Sequence, residues 1–330
     1  FLALLSGTSA TSSPPPSPAP PCTVEMLKQR PAGDKSWPIA CSQTALGTAD
    51  EELDLSDAHL SYGDFKDATF TAAGAIRLKG AGLANADLSG SRLTAEGDNS
   101  GATIDFAGAD LINADLSGST LTASSSYGET SVDFAGADLT NADLSGSELS
   151  ALASPGASTI DFAGADLTNA NLGGSKLSAS ATSYGTWDGD TSIDFAGANL
   201  ANADLSDSEL TADGAGDATI EFTEANLANA DLSGSNVRAT ARNGDATIAF
   251  IKADLTHAEL SGTELKVQTT SDDNEFGAAT IDFSEASLAN ADLGGLKLDA
   301  SSADSRNVLT IKGLPPSLPP LPPTPPDPSG

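Results

Sequence analysis

The side chains of this 330-residue sequence that could do chemistry are mainly carboxylates, and many recur at regular spacing. There are 46 Asp and Glu against 15 Lys and Arg, a formal net charge of −31. One acidic set directly precedes a series of anchoring side chains, and a second follows ten residues later. The first set is Asp105, Asp133, Asp161, Asp194, Glu221 and Asp282, interrupted by Ala249; the second is Asp115, Asp143, Asp204, Asp231, Glu259 and Asp292, interrupted by Asn171. Such sets could hold cations or form a hydrated acidic surface.

One short stretch is similar to part of a calcium-binding loop. WDGDTS, residues 187–192, places the carboxylates of Asp188 and Asp190 two residues apart. It lacks the remaining ligands and the final Glu of an EF-hand loop. Asp188 and Asp190 are therefore candidates for a weakly bound Ca²⁺, and no other cofactor or metal is expected. A hydrated acidic face is the alternative interpretation.

Residues for catalysis are scarce. The only two histidines are His59 and His257. No Ser/His/Asp set, no cysteine nucleophile beside a histidine and no phosphate-binding glycine loop can be assembled from the sequence. The sequence therefore predicts a protein that is not an enzyme.

The acidic residues lie within a pattern whose apolar members are five residues apart. Phe162, Leu167, Leu172 and Leu177 form one group of four, and nine such groups run from about residue 53 to residue 298. A period of five fits neither a helix nor a simple strand, but it fits a short strand followed by a corner. Groups repeat every 27, 28 or 33 residues after the second, which indicates a solenoid with loops along one edge. The predicted core anchors that begin these later groups are Phe106, Phe134, Phe162, Phe195, Phe222, Phe250 and Phe283.

Corners are predicted two residues after each anchor. Gly108, Asn113 and Gly118 occupy these positions in one group, and Gly and Asn tolerate the backbone angles of tight turns. Residues 93–106 contain the extra segment, which is interpreted as two lengthened strands joined by a polar loop. Stacked coils would place equivalent carboxylates about 4.8 Å apart. Because like charges repel at this spacing, we expect raised carboxylate pKa values or associated cations.

The run FAGADLTNADLSGSEL, residues 134–149, resembles the A(D/N)LxX signature of pentapeptide-repeat proteins. The resemblance implies an all-β fold, a right-handed quadrilateral β-helix of about nine coils. One loop insertion per coil departs from the compact members of that family. Four segments are predicted: an apolar and Pro-rich arm (1–21), a small cap (22–52), the solenoid (53–313) and a Pro-rich tail (314–330).

The segments outside the repeats suggest a secreted protein. FLALLSGTSA at residues 1–10 is similar to the end of a signal peptide. Cys22 and Cys41 are compatible with one disulfide, with two free thiols as the alternative, and a disulfide favours an extracellular location. No stretch approaches the roughly 18–20 apolar residues of a membrane span.

Two classes of function remain. The first is a structural subunit of an extracellular fibre or surface matrix, with copies of itself as head-to-tail partners. The tails resemble those of secreted plant and green-algal surface glycoproteins, which implies attached glycans at Pro14, Pro15, Pro16, Pro315 and Pro316. The second is an acidic rod that binds a protein, either as a DNA mimic or in an organellar lumen. Nucleic acid is not expected as a partner, because binding it requires basic surface.

Overall fold

The computed structural model describes residues 22–33, 39–182, 189–270, 277–302 and 309–314. These residues form one short helix, α1 (Val24–Gln29), and two parallel sheets of ten strands each. The strands of sheet A are β1 (Ala45–Thr48), β3 (Thr69–Ala73), β5 (Arg92–Gly97), β7 (Thr120–Ser125), β9 (Glu148–Ala153), β11 (Lys176–Ala181), β13 (Glu209–Gly214), β15 (Asn236–Ala241), β17 (Glu264–Thr269) and β19 (Lys297–Ser302). The strands of sheet B are β2 (Leu53–Asp54), β4 (Ala75–Arg77), β6 (Ala102–Asp105), β8 (Thr130–Asp133), β10 (Ser158–Asp161), β12 (Thr191–Asp194), β14 (Ala218–Glu221), β16 (Ala246–Ala249), β18 (Ala279–Asp282) and β20 (Leu309–Lys312).

Each coil has four faces. Face 1 is a strand of sheet B, and face 4 is a strand of sheet A. Faces 2 and 3 are narrow and pair with the next coil through single bridges, such as Asp110 with Asp138 and Asp115 with Asp143. Strands pair in register with the equivalent residues of the next coil, as Val132 does with Ile160. The predicted fold class, an all-β quadrilateral β-helix with one loop insertion per coil, is confirmed.

The stack extends one strand beyond the predicted repeats at each end. β1 lies within the predicted cap, yet it pairs with β3, so the first rung of the stack precedes Leu53. Leu46 of β1 is 2% exposed and belongs to the continuous core. At the other end β20 pairs with β18.

The core is a set of columns, one per face. The seven phenylalanines of face 1 from Phe106 to Phe283 are all 0% exposed. Their rings stack face to face, with centroids 4.8–5.0 Å apart and planes within 3° of parallel. Aromatic pairs usually prefer offset or edge-to-face packing. The parallel stack follows from the spacing of paired strands, about 4.8 Å.

The corners carry the predicted residues because the chain turns there through left-handed backbone conformations. Gly108, Asn113 and Gly118 have φ of +63°, +54° and +62°. Each corner closes with a backbone hydrogen bond such as the one from Ala109 N–H to Phe106 O, 2.9 Å. Non-glycine residues rarely adopt this conformation, with Asn among the exceptions, which explains the alternation of Gly and Asn.

The loop between face 4 and the following face 1 is the one variable corner, and we call it the insertion corner. Successive loops lie close together there. A Cβ on Gly101 would stand 2.4 Å from the Glu129 carbonyl oxygen, and one on Gly156 would stand 2.1 Å from that of Gly128. Glycine is therefore required at these positions by the approach of one loop to the next.

A short helix packs at the N-terminal end of the stack. α1 begins at Thr23, whose hydroxyl oxygen accepts a hydrogen bond from Met26 N–H at 3.2 Å, and Leu27 of α1 is fully buried in the core. Cys22 and Cys41 form a disulfide that ties this helix to the first rung. Within the described ranges no helix is long and apolar enough to cross a membrane.

Candidate functional site

The first acidic set forms a continuous ladder on the outside of sheet B, which we call column 1. In order along the rod it contains Asp54, Arg77, Asp105, Asp133, Asp161, Asp194, Glu221, Ala249, Asp282 and Lys312. The sequence analysis found its acidic members from Asp105 onward. It missed Asp54, and it missed Arg77 and Lys312, which place a positive charge near each end. Asp54 and Arg77 precede leucine rather than phenylalanine anchors, and Lys312 follows the last group.

The carboxylates of column 1 are not simply hydrated. Asp133 Oδ1 accepts a hydrogen bond from Ala135 N–H at 2.8 Å, and Asp194 Oδ1 accepts one from Ala196 N–H at 2.7 Å. Such Asx turns pair the carboxylate with the backbone two residues on. The interpretation of these residues as a solvated face is therefore wrong in part, because one oxygen of each carboxylate holds the following corner.

Two members of column 1 have raised pKa values, as predicted. Burial raises the pKa of Asp133, and the carboxylates of Asp161 and Asp105 raise it further, against the hydrogen bond from Ala135. Burial likewise raises the pKa of Asp194, with Asp161 and Glu221 contributing. For these two residues burial is the larger cause, and the neighbouring carboxylates act in the same direction.

Asp282 behaves in the opposite way. Its burial alone would raise the pKa, but hydrogen bonds from the Ser284 side chain and backbone and from Lys312 lower it overall. Lys312 Nζ lies 3.1 Å from Asp282 Oδ2. The same ladder position is therefore unfavourable for charge in the middle of the rod and favourable at its end.

The second acidic set forms column 3, on face 3. Its members are Asp64, Asp87, Asp115, Asp143, Asn171, Asp204, Asp231, Glu259 and Asp292. Asp64 and Asp87 extend the predicted set by two coils. Asp115 Oδ1 accepts hydrogen bonds from both Ser117 N–H, at 2.9 Å, and Ser117 Oγ, at 2.6 Å. Column 3 is thus also part of the turn structure.

The calcium candidates do not form a described metal site. Asp188 lies outside the described residues, and Asp190 Oδ1 accepts a hydrogen bond from Asp217 N–H at 2.9 Å. Asp217 and Asp245 repeat this contact to the next loop, at 2.7 Å each. Asp190 therefore begins a ladder that links successive loops. Over the part of the chain that the structure describes, no three His, Cys, Asp or Glu residues are grouped to hold a metal.

A hydrogen-bonded ladder of amides runs along the corner between faces 2 and 3. Asn113, Asn141, Asn169 and Asn202 each donate from Nδ2 to Oδ1 of the preceding member, at 3.0–3.3 Å. His257 takes the same corner at φ +60°, and its Nε2 lies 3.5 Å from Asn290 Nδ2. The sequence predicted Asn at these corners but not the ladder, which depends on stacking.

A shallow groove lies beside the insertion corner. Tyr127 and Leu152, which are 49% and 39% exposed, form its apolar part. Glu96, Asp98, Ser124 and Ser180 are among the polar residues that line it. The groove was not foreseen, because its residues interrupt rather than continue the repeat.

The C-terminal end of the stack differs from the N-terminal end. Within the last coil Leu288, Leu293 and Leu298 are only partly buried. Their counterparts one coil earlier, Leu255, Leu260 and Leu265, are 0% exposed. β20 covers face 1 alone, so among the described residues faces 2 to 4 of the last coil are open. We call this surface the open end. The predicted glycosylation positions, Pro14, Pro15, Pro16, Pro315 and Pro316, lie outside the described residues.

At the N-terminal end, by contrast, two backbone carbonyls are capped by a side chain. In the coils, the amide of each anchor donates to a carbonyl of the following coil, as Leu60 N–H does to Gly82 O and Tyr62 N–H to Ala84 O. Among the described residues, no coil precedes the first coil's His59 O and Ser61 O on this face. Arg30 Nη1 donates to both, at 2.8 and 2.9 Å, so one guanidinium replaces two amides.

Comparisons with known proteins agree with this geometry. The family described as "Pentapeptide repeats (8 copies)" matches residues 104–125 and 130–151. No curated protein matches the sequence at a significant level.

Several solved structures are similar over most of the chain. HetL, a pentapeptide repeat protein involved in heterocyst differentiation regulation from the cyanobacterium Nostoc sp. strain PCC 7120, is 23% identical over 79% of this chain and 89% of its own, with a TM-score of 0.23. Full-length QnrB1, a plasmid-mediated fluoroquinolone resistance protein, is 12% identical over 79% and 93%, with a TM-score of 0.25. Rfr23 from the cyanobacterium Cyanothece 51142 is 17% identical over 51% and 64%, with a TM-score of 0.13.

TM-scores this low do not support an inference of shared function. Residues 104–125 and 130–151 are similar to pentapeptide repeats, and the four-sided coils continue on both sides of them.

Proposed function

We propose that the protein is a non-enzymatic structural rod, the repeating subunit of an extracellular fibre or surface matrix, and that its partners are further copies of itself. The observation that carries this proposal is the open end. Leu288, Leu293 and Leu298 there have inward positions but only partial cover. A parallel stack with an uncovered last coil presents both apolar surface and a strand edge, and either favours association.

The charge of the rod directs that association to its ends. Columns 1 and 3 place carboxylates along two of the four faces, and the whole chain has a formal net charge of −31. Rods with like-charged sides repel each other when they lie side by side. End-to-end contact brings fewer of these charges together, so it is the favoured arrangement.

The two ends are unlike, and this favours head-to-tail order with extended connectors. At the N-terminal end Arg30 caps two carbonyls and Leu27 of α1 packs in the core, whereas the described residues give faces 2 to 4 of the open end no such cover. The Pro-rich segments at residues 12–21 and 314–329 favour extended polyproline II conformations. We propose that they bridge neighbouring subunits, that their prolines carry glycans, and that the disulfide reflects an extracellular location.

Negative-stain microscopy and light scattering of the purified full chain, over a range of concentrations, test the proposal. We expect rods joined end to end at high concentration. Leu293→Asp places a charge on the open end and should abolish the association. Ala289→Asp adds the same charge to an exposed position of the same coil and should leave it intact, and circular dichroism checks that both variants keep their fold.

A chain that stays monomeric at all concentrations would contradict the proposal of a fibre subunit. If that monomer also slowed a topoisomerase in a DNA-relaxation assay, the acidic columns would act as a mimic of DNA. The fibre proposal would then be replaced by the protein-binding alternative.

A further inference from the structure

We propose that in the free monomer the C-terminal Pro-rich segment of the same chain, residues 315–330, docks across the open end, and that the next copy must displace it there before the segment can bridge to a neighbour. The docking itself stands apart from the proposed function, and only its effect on assembly rests on that function.

The described residues reach the rim of the open end at Leu314. β20 pairs with β18 along face 1, and Lys312 O accepts a hydrogen bond from Phe283 N–H at 3.0 Å. Leu314 is partly buried against the core. Gly313 lies so close to the last coil that a Cβ there would be 2.2 Å from the Phe283 carbonyl carbon. Residue 315 therefore begins directly beside the uncovered faces.

The open end is rich in backbone donors. One coil earlier, the N–H groups of Leu255, His257, Leu260 and Gly262 donate to carbonyls of the last coil at 2.7–2.9 Å. Their equivalents in the last coil are Leu288, Asn290, Leu293 and Gly295. In the described portion of the chain these four N–H groups have no acceptor.

Fewer acceptors than donors point outward at this end. Ala253 O accepts from Ser287 N–H and Ala258 O from Asp292 N–H, both at 2.9 Å, so each narrow face offers one carbonyl to the next layer against two amides. A strand that covers this edge needs carbonyls more than it needs N–H groups.

The Pro-rich segment has the required chemistry. Nine of its 16 residues are prolines, which supply carbonyl acceptors and no N–H. Leu318 and Leu321 are three residues apart, so they share one face in the polyproline II conformation and can cover the partly buried leucines of the open end. Asp327 is the one charged side chain of the segment, which limits repulsion by the acidic rod.

The segment is long enough. At about 3.1 Å per residue in polyproline II, its 16 residues span about 50 Å. A five-residue face is at most about 17 Å wide at roughly 3.3 Å per residue, so two narrow faces need about 33 Å. Attachment to the same chain gives the segment an effective concentration of the order of millimolar, which favours it over a segment from another copy.

Hydrogen exchange followed by mass spectrometry tests the docking in the full chain, at a concentration where it is monomeric. We expect the amides of residues 286–298 to be protected. Leu318→Asp combined with Leu321→Asp should speed their exchange at least tenfold. Ser317→Asp combined with Ser329→Asp adds the same charge to another face of the polyproline helix, and should leave the protection unchanged. Equal exchange in the wild-type chain and the leucine variant overturns the proposal.

Protection that rises with protein concentration also overturns it, because the occupant would then come from another copy. The effect on assembly is read separately by light scattering. We expect the leucine variant to associate at a concentration at least tenfold lower than the wild-type chain. If no variant associates while the exchange result holds, the proposed fibre function fails and the docking stands. If association persists but residues 286–298 are never protected, the docking alone fails.

Discussion

Replacement of Asp133 by Asn should make the protein more stable, although it alters a recurring residue. Asp133 lies in column 1 between Asp105 and Asp161. Its Oδ1 accepts the hydrogen bond from Ala135 N–H at 2.8 Å. An Asn side chain keeps this acceptor, as Asn171 does in column 3, where its Oδ1 accepts from Gly173 N–H at 3.0 Å. The substitution therefore removes the charge and keeps the turn.

The size of the gain follows from the spacing of the ladder. Two unit charges about 4.8 Å apart repel by about 0.9 kcal/mol in a medium as polar as water. Asp133 has two such neighbours, so Asp133→Asn should raise the free energy of unfolding by about 1–2 kcal/mol at pH 7. Asp282→Asn is the matched control. It removes a carboxylate whose partner Lys312 is 3.1 Å away, and because this lysine is half-exposed the loss should be about 0.5–1 kcal/mol.

The pH dependence gives a second test. The folded-state pKa of Asp133 is raised above the ordinary value of 3.8, so its ionised form opposes folding at neutral pH. That cost disappears as the pH falls through the raised pKa towards 3.8. The folded-state pKa of Asp282 is lowered, so its contribution is present above 3.8 and is lost as the pH falls through the lowered value.

Urea unfolding followed by circular dichroism, at pH 7 and at about pH 3, measures both effects. We expect a higher midpoint for Asp133→Asn and a lower one for Asp282→Asn at pH 7, with both differences shrinking in acid. A destabilised Asp133→Asn at pH 7, or an equal gain at both pH values, would refute the account of column 1.

Three further substitutions test the core, a corner and the cap. Phe162→Ala should lower the free energy of unfolding, measured by calorimetry, by about 3–5 kcal/mol. The loss should exceed that of Phe283→Ala, because Phe162 stacks on two rings and Phe283 on one. Equal losses would contradict a stabilising role for the stack. Asn141 has φ +56°, so Asn141→Ala should lower the free energy of unfolding in urea by about 1–2 kcal/mol, and Asn141→Gly should lower it less. The reverse order would contradict the role of the left-handed backbone conformation at this corner. Arg30→Met leaves two carbonyls without their donor and should lower the free energy of unfolding by about 1–3 kcal/mol. We expect faster proteolysis near residue 30. Unchanged proteolysis would show that the N-terminal cap does not need Arg30.

The repeat unit could be predicted from sequence because each of its features is local. The alternation of inward and outward residues follows from strand geometry, and the left-handed corners at Gly108 and Asn113 follow from steric limits on φ. Because every coil repeats the same residue pattern, the anchors can still be located when one position of one coil departs from that pattern. The nine groups of anchors were therefore placed at their true positions along the stack.

The features that were missed depend on contacts between coils or on residues outside the repeat. An Asx turn gives the Asp133 carboxylate a backbone partner, and stacked neighbouring coils bury it. The spacing of Asp residues in the sequence reveals neither the turn nor the burial. Leu46 lies in the first rung but has no repeat around it. Arg30 acts as a cap only because the fold places it against His59 O, 29 residues away. No pattern within the sequence signals such a contact.

The insertion corner determines how a rod of this kind can change in length and outline. One residue added to a five-residue face would reverse every following inward side chain of that coil. Added residues at the insertion corner leave the register unchanged, since coils 27, 28 and 33 residues apart pair equally well. The cost of a longer loop grows only slowly, by about 0.6 kcal/mol per doubling. Foreign segments inserted at this corner would therefore form a row along the rod, with one insertion site per coil and a separation set by the distance between paired strands.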